Sequence, residues 1–243
     1  MRFLMETAAT FGVKLTCIMQ PSFEGGFFQR IMEYLRVVKS LPDGDIACLV
    51  DAYDVLINQP EDVILARFRA LNCRLLIGSE LNCYPDSFRP MYDYVPTLSL
   101  ARFPNGGGYI GYKDALLDFF TWKSPPVMKP IIDEFTDQGY LHLYYLAKRS
   151  ETVKLDAHCQ IFQCMHWVSW KEIRIVDGHI QNTVLNTVPC FVHFNGGTFN
   201  TQSRFDIQPV VVERMKKSLA SGPETLNDYE QLLTPTCYPH PQV

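Results

Sequence analysis

The stretch Ile46-Ala47-Cys48-Leu49-Val50-Asp51-Ala52-Tyr53-Asp54 carries the fold assignment. An apolar run follows the turn-like Leu41-Pro-Asp-Gly-Asp45 and ends directly in two carboxylates and a tyrosine. Such a run, bounded by turn signals, reads as a buried strand of a parallel sheet, and ligands bind at the carboxyl ends of those strands. Asp51 and Asp54 stand where a ligand is expected. Two carboxylates at this spacing hold a hard divalent cation through oxygen and leave coordination positions for phosphate oxygens, as magnesium and manganese sites do. Taken alone, the pair reads first as a loop cap with a solvated neighbour, so its context has to decide.

Two further units supply that context. Pro189-Cys-Phe-Val-His193-Phe-Asn195-Gly-Gly197 repeats the pattern of an apolar strand running into polar residues and glycines. His193 is a candidate third ligand, since imidazole suits manganese, although an isolated histidine there reads first as structural. In Phe103-Pro-Asn105-Gly106-Gly107-Gly108-Tyr109-Ile110-Gly111-Tyr112, three glycines allow positive torsions and close approach of a ligand. A glycine-rich hairpin loop is the equal alternative.

Together these segments resemble one family, the glycosyltransferase domain at the amino end of the procollagen lysyl hydroxylase/glycosyltransferase proteins. Val50-Asp51-Ala-Tyr-Asp54-Val55 is similar to the family's V-D-S-Y-D-V, and Gly78-Ser-Glu80-Leu-Asn-Cys83-Tyr84-Pro85 to its S-A-E-x-x-C/Y-W/Y-P. Asn105-Gly-Gly-Gly-Tyr-Ile-Gly-Tyr112 resembles N-S-G-G-F-I-G-F, and Asp137-Gln138 the D-Q that closes an acidic run. Leu155-Asp156 through Gln163 resembles L-D-x-x-x-R-I-F-Q, and Val192-His193-Phe-Asn195-Gly196 resembles V-H-G-N-G. The order matches across most of the chain.

The resemblance implies an α/β fold of the A-type glycosyltransferase class, a Rossmann-like mixed sheet flanked by helices, working with a UDP-sugar and Mn2+. It implies Asp51, Asp54 and His193 as metal ligands and Tyr53 near the uracil. Asn195 and Gly196 are then by the diphosphate, with Val50, Gly107 and Gly108 among the donor-binding residues. Asp137 is nearest the acceptor with Gln138 beside it, and Tyr84 is an aromatic wall at the sugar pocket. The plainer readings are a helix-start aspartate for Asp137 and core packing for Tyr84. The implied reaction moves glucose or galactose from UDP-glucose or UDP-galactose to a hydroxyl of a polypeptide or glycan. In collagen-like chains that hydroxyl belongs to hydroxylysine or galactosyl-hydroxylysine. A cation stabilises the charge that builds on the departing diphosphate, and a general base on the acceptor adds roughly 10²–10⁴-fold to an inverting reaction. The stereochemistry stays open.

Departures from the family matter too. Its G-P-T-K after the histidine carries a lysine suited to diphosphate, whereas this chain has Gly196-Gly197-Thr198-Phe199. Arg30, in a segment resembling G-G-G-Q-K, and Arg204 are the substitutes. The acidic run has shrunk to Asp133-Glu-Phe-Thr-Asp137. Met1–Thr10 has helical spacing with Gly12 as its stop, so the strand that opens this fold is not evident before Lys14. These departures motivate one alternative, a nucleotide-sugar-binding module without turnover; a second, a metal-dependent phosphohydrolase or nucleotidyltransferase, stands because paired carboxylates with a diphosphate serve those chemistries equally. A lysyl hydroxylase is disfavoured by the lack of an H-x-D iron motif.

With 243 residues, 47% apolar and 20% charged, the chain can bury one full core. A net charge of -4 argues against general nucleic-acid binding. No apolar run reaches the roughly 18 residues of a transmembrane helix, and no charged-then-apolar leader is visible. The compartment is left open, the endoplasmic reticulum lumen being what the family implies. Cys17, Cys48 and Cys190 read as buried free thiols inside apolar strands. Pro60–Ala70 reads as a helix crossing to a strand at Arg74–Gly78, and Lys171–Gln181 as a hairpin through Asp177-Gly178. A transferase domain is expected over 1–205, followed over 206–243 by a helix from Pro209 to Ala220 and a mobile proline-containing tail.

Overall fold

Alternating apolar residues set the layers. The computed structural model describes residues 1–18, 26–96, 99–196 and 201–221, with 201–207 and 221 described by backbone alone. Ile46–Val50 forms β1, Leu75–Glu80 β3, Phe103–Tyr112 β4 and Val153–Leu155 β5, joined in the order β1-β4-β3-β5. β4 is antiparallel to β1 and β3, while β5 is parallel to β3, so the sheet is mixed as the A-type class requires. This corrects the reading of β1 as a parallel-sheet strand: its partner is β4, with Val50 opposite Gly108. It also corrects its burial: β1 lies at the edge of the sheet and only Leu49 is fully buried, because an apolar run records strand propensity but not the number or direction of its neighbours.

Period two then sorts the core. Leu75, Ile77 and Tyr109 face one side, against Ile31, Leu35 and Val38 of α2 (Gly26–Ser40), Phe119 and Phe120 of α4 (Lys113–Thr121) and Tyr140 and Tyr144 of α5 (Pro125–Lys148). Leu76 and Ile110 face the other, against Leu4 and Ala8 of α1 (Arg2–Phe11) and Ile64 and Phe68 of α3 (Glu61–Ala70). Full burial of each leucine, isoleucine, valine or phenylalanine among these contributes roughly 1.5–3 kcal/mol. Helices therefore flank both faces.

A second sheet, β2 (Val55–Ile57), β9 (Phe191–His193) and β6 (Phe162–Cys164), has β9 at its centre. The expected hairpin is present as β7 (Ile173–Val176) and β8 (His179–Asn182), turning through Asp177 (φ 49°) and Gly178 (φ 77°). α6 runs from Thr201 to Ser221, eight residues before the start read from sequence, and its Val211, Val212 and Met215 pack on Ile173, Ile175 and Val192. The boundary drawn after residue 205 falls inside this helix. Gly197, Thr198, Phe199 and the proline-containing tail lie outside the described residues, as does the side chain of Arg204.

α1 stops at Gly12 (φ 66°) as expected. Residues 13–18 then have no regular secondary structure, and Cys17 is exposed, which corrects its placement in a buried strand. Strand propensity is realised only where a partner pairs with it. Cys48 does lie in β1, and buried Cys190 precedes β9 by one residue. α5 is broken at Thr136 (φ 63°, ψ 177°), so that Asp137 opens its second half.

Candidate active site

Asp51 directly follows β1, the turn after it holds Asp54, and β9 pairs with β2 so that His193 lies opposite Val55. One ligand atom from each of the three lies within 4.8 Å of the others. His193 Nε2 is 3.4 Å from Asp54 Oδ1 and 3.7 Å from Asp51 Oδ2. Its Nδ1 is 2.9 Å from Asn105 Oδ1. The other end of that amide donates to Glu80 Oε1 at 2.9 Å, and a carboxylate only accepts, so the amide orientation is fixed. Nδ1 therefore carries a proton, and Nε2 is the nitrogen presented to the carboxylates. A histidine held in this way by its outer nitrogen is the arrangement found behind metal-binding imidazoles. The donor set, two carboxylates and one imidazole, fits a divalent cation of the manganese type. Burial alone would lower the pKa of His193, but its bond to Asp54 and the charges of Asp54, Asp51 and Glu80 outweigh that and leave it raised.

The glycine run is no loop. Gly106, Gly107 and Gly108 lie within β4, buried, and none has a positive φ. A Cβ on Gly107 would sit 2.0 Å from His193 Cε1, and one on Gly108 2.7 Å from the Phe162 ring. The close approach these residues permit is by the protein's own rings. This replaces the hairpin alternative and the argument from positive torsions.

Glu80, at the end of β3, is 3% exposed and gathers the surrounding amides. Oε1 accepts from Asn105 and, at 2.7 Å, from Gln138; Oε2 accepts from Asn195 at 2.8 Å. Gln138 also donates to the Tyr84 carbonyl, and its own carbonyl accepts from the Gly106 amide. Asn195 Oδ1 accepts from the amides of Met165 and His166. Both side chains are thus engaged as braces. Gly196 (φ 118°) lies against the His166 ring, where a Cβ would come within 2.7 Å.

Arg30 spans two carboxylates. Its Nη1 donates to Asp51 Oδ1 at 2.8 Å, and its Nη2 donates to Asp137. Its Nε is buried with no hydrogen-bond partner among the described residues. Burial holds the Asp137 pKa above its ordinary value against the pull of this guanidinium. Tyr53 and Tyr84 are 70% and 54% exposed, which rules out core packing for Tyr84. Sequence reasoning missed the roles of Glu80 and Asn105. Glu80 had a signal, a carboxylate closing the apolar run Leu75–Gly78.

Mixed sheets covered by helices, with an Asp-Asp-His corner at the strand ends, define an α/β protein whose corner could hold a cation. The family model for the PLOD GT domain matches residues 18–206, and the chain belongs to that glycosyltransferase family. It is 33% identical to the multifunctional procollagen lysine hydroxylase and glycosyltransferase of Caenorhabditis elegans, over 71% of this chain and 24% of that protein. Identity to the procollagen-lysine,2-oxoglutarate 5-dioxygenase of Drosophila melanogaster is 30%, with the same coverage. The uncharacterized protein R699 of Acanthamoeba polyphaga mimivirus is 27% identical over 71% of this chain and 36% of its own length. The chain therefore spans about a third or less of these relatives. A solved glycosyltransferase involved in glycosylation of the major capsid of PBCV-1 aligns over 89% of the chain with a TM-score of 0.43 and 13% identity, too distant to carry weight.

Proposed function

We propose that this domain moves glucose or galactose from UDP-glucose or UDP-galactose to a hydroxyl of a polypeptide or glycan acceptor. The acceptor class suggested by the relatives' names is a collagen-like chain bearing hydroxylysine or galactosyl-hydroxylysine. The observation that carries this reading is the convergence of Asp51, Asp54 and His193, with Nε2 turned inward by Asn105. Mn2+ held there would stabilise the charge that develops on the departing diphosphate. The chain's own residues supply the rest. Exposed Tyr53, between the two aspartates, offers a face to the uracil, and Val50 and Gly108 form the strand pair beneath it. The Nε of Arg30, without a partner among the described residues, offers an N–H to a phosphate oxygen in place of the family's lysine. Gly107 seats His193, and Asn195 and Gly196 shape the backbone beside it. Asp137 faces the acceptor as the base that takes its proton, Gln138 fixes the loop carrying Tyr84, and Tyr84 walls the sugar pocket.

The ion pair between Asp137 and Arg30 favours one second reading, a nucleotide-sugar-binding module without turnover, because a carboxylate oxygen already engaged by a guanidinium is not free to take the acceptor's proton. One assay separates them: UDP release from each UDP-hexose, with and without Mn2+, compared with Asp54→Ala. Release that requires Mn2+ and disappears in the variant supports the transferase. UDP binding without release supports the module, and release of UMP or phosphate would indicate a phosphohydrolase or nucleotidyltransferase.

A further inference from the structure

Trp167 carries two costs at once. Its φ of 65° is left-handed, a conformation that costs an L-residue of this bulk free energy, and Asn or Gly are its usual occupants. Its indole is 57% exposed, so packing does not recover that cost. Strain of this kind persists where the site, not the core, uses the residue.

Its position shows which site. β6 is parallel to β9 with Cys164 opposite His193, and the chain continues as Met165, His166 and Trp167. The Met165 amide donates to the His193 carbonyl at 2.9 Å, and the amides of Met165 and His166 donate to Asn195 Oδ1 at 3.1 and 3.2 Å. The His166 ring is 12% exposed, lies against Gly196, and holds Nδ1 3.7 Å from Glu80 Oε2. The Trp167 ring meets it at 65°, with centroids 5.7 Å apart. Leading outward from the cation corner, the wall passes from His193 to Asn195, then His166, then an exposed indole. It is polar at the corner and ends outward in an aromatic face.

A hexopyranose matches that arrangement. One face of the ring is a patch of C–H groups that stacks on an indole, and its rim is hydroxyls that hydrogen-bond an imidazole. A nucleobase would also stack, but exposed Tyr53 stands nearer the aspartates for that purpose. We propose that Trp167 and His166 form a hexose subsite at the mouth of the cleft, taking either the donor's sugar or a sugar already present on the acceptor. This rests on the transferase reading for its location and deepens it.

Trp167→Gly is the decisive variant, because glycine adopts this backbone freely and the fold is kept. Calorimetric titrations of wild type and variant with UDP, UDP-glucose, UDP-galactose and methyl galactoside, all with Mn2+, read the result. The expected outcome is a thermal midpoint unchanged or raised, UDP affinity within twofold of wild type, and a loss of about tenfold for a hexose-bearing ligand. Loss for the UDP-hexoses names the donor sugar as occupant; loss for the galactoside names the acceptor. Trp167→Phe should restore most of the affinity. Equal affinities in wild type and Trp167→Gly for every hexose-bearing ligand overturn the subsite while leaving UDP binding, and the transferase reading, intact. If wild type binds no UDP, the transferase reading falls, and the galactoside titration alone then decides the subsite.

Discussion

Asp51 and Glu80 are carboxylates at the ends of two strands that flank β4, and the fold treats them in opposite ways. Glu80 is 3% exposed, with both oxygens bound by side-chain amides. The Asp51 side chain is 27% exposed, with one oxygen on Arg30 and the other turned toward His193 at 3.7 Å. The first carboxylate is finished and the second is reserved. A buried charge is tolerated when its hydrogen bonds are complete, whereas a ligand position has to keep bonding capacity in hand. The candidate site is therefore a rigid polar half built around Glu80 and an open half at Asp51, Asp54 and His193.

Gly107→Ala attacks both halves and should have the largest effect. The methyl would overlap the His193 ring, so stability should fall by about 3 kcal/mol and Mn2+ binding should be lost, read by urea denaturation and calorimetry. Wild-type metal affinity in this variant would show that His193 is not a ligand. Asp51→Asn should separate the halves, weakening Mn2+ about 100-fold, or ~2.7 kcal/mol, with the thermal midpoint nearly unchanged. An equal loss of stability would erase the contrast. Glu80→Gln should do the reverse, turning an acceptor into a donor facing other donors. Roughly 2.5 kcal/mol of stability should go, with about a tenfold loss of metal affinity transmitted through Asn105.

The smallest effect is a pH dependence confined to the rigid half. His142 is fully buried, takes a hydrogen bond from Tyr92 and gives one to the Tyr84 carbonyl, and burial lowers its pKa from 6.5 to about 4. The unfolded chain then binds the proton first as pH falls, so stability present above pH 6.5 is lost on the way to pH 4. Between pH 7.5 and 5 the loss should be about 2 kcal/mol in denaturant titrations, and absent in His142→Gln. A slope unchanged by that substitution would place the titrating group elsewhere.

The parts legible in the sequence were those written in local pattern. The apolar runs gave β1 and β3, the Asp177-Gly178 turn gave its hairpin, and Gly12 marked the end of α1. The Asp-x-x-Asp spacing and the distant histidine also came together in space. What failed depended on partners remote in sequence. The direction of β1 is set by β4, and Cys17 lacks the strand pairing its neighbours suggest. The glycines of β4 looked like a ligand loop because their purpose, room for His193 and Phe162, is defined by residues far downstream. Trp167 gave no signal at all, since a left-handed tryptophan is a property of backbone torsion and not of composition.

The break at Thr136 has an electrical consequence. An uninterrupted α5 would have a single amino end, at Pro125, whereas the interrupted helix has a second one at Asp137. A helix start carries about half a positive charge from its unpaired amides, and the Gln138 amide already bonds the Asp137 carboxylate. The chain thus sets a fixed positive pole on the Asp137 carboxylate beside the Arg30 guanidinium, and the strained torsion of one threonine sets where that pole points.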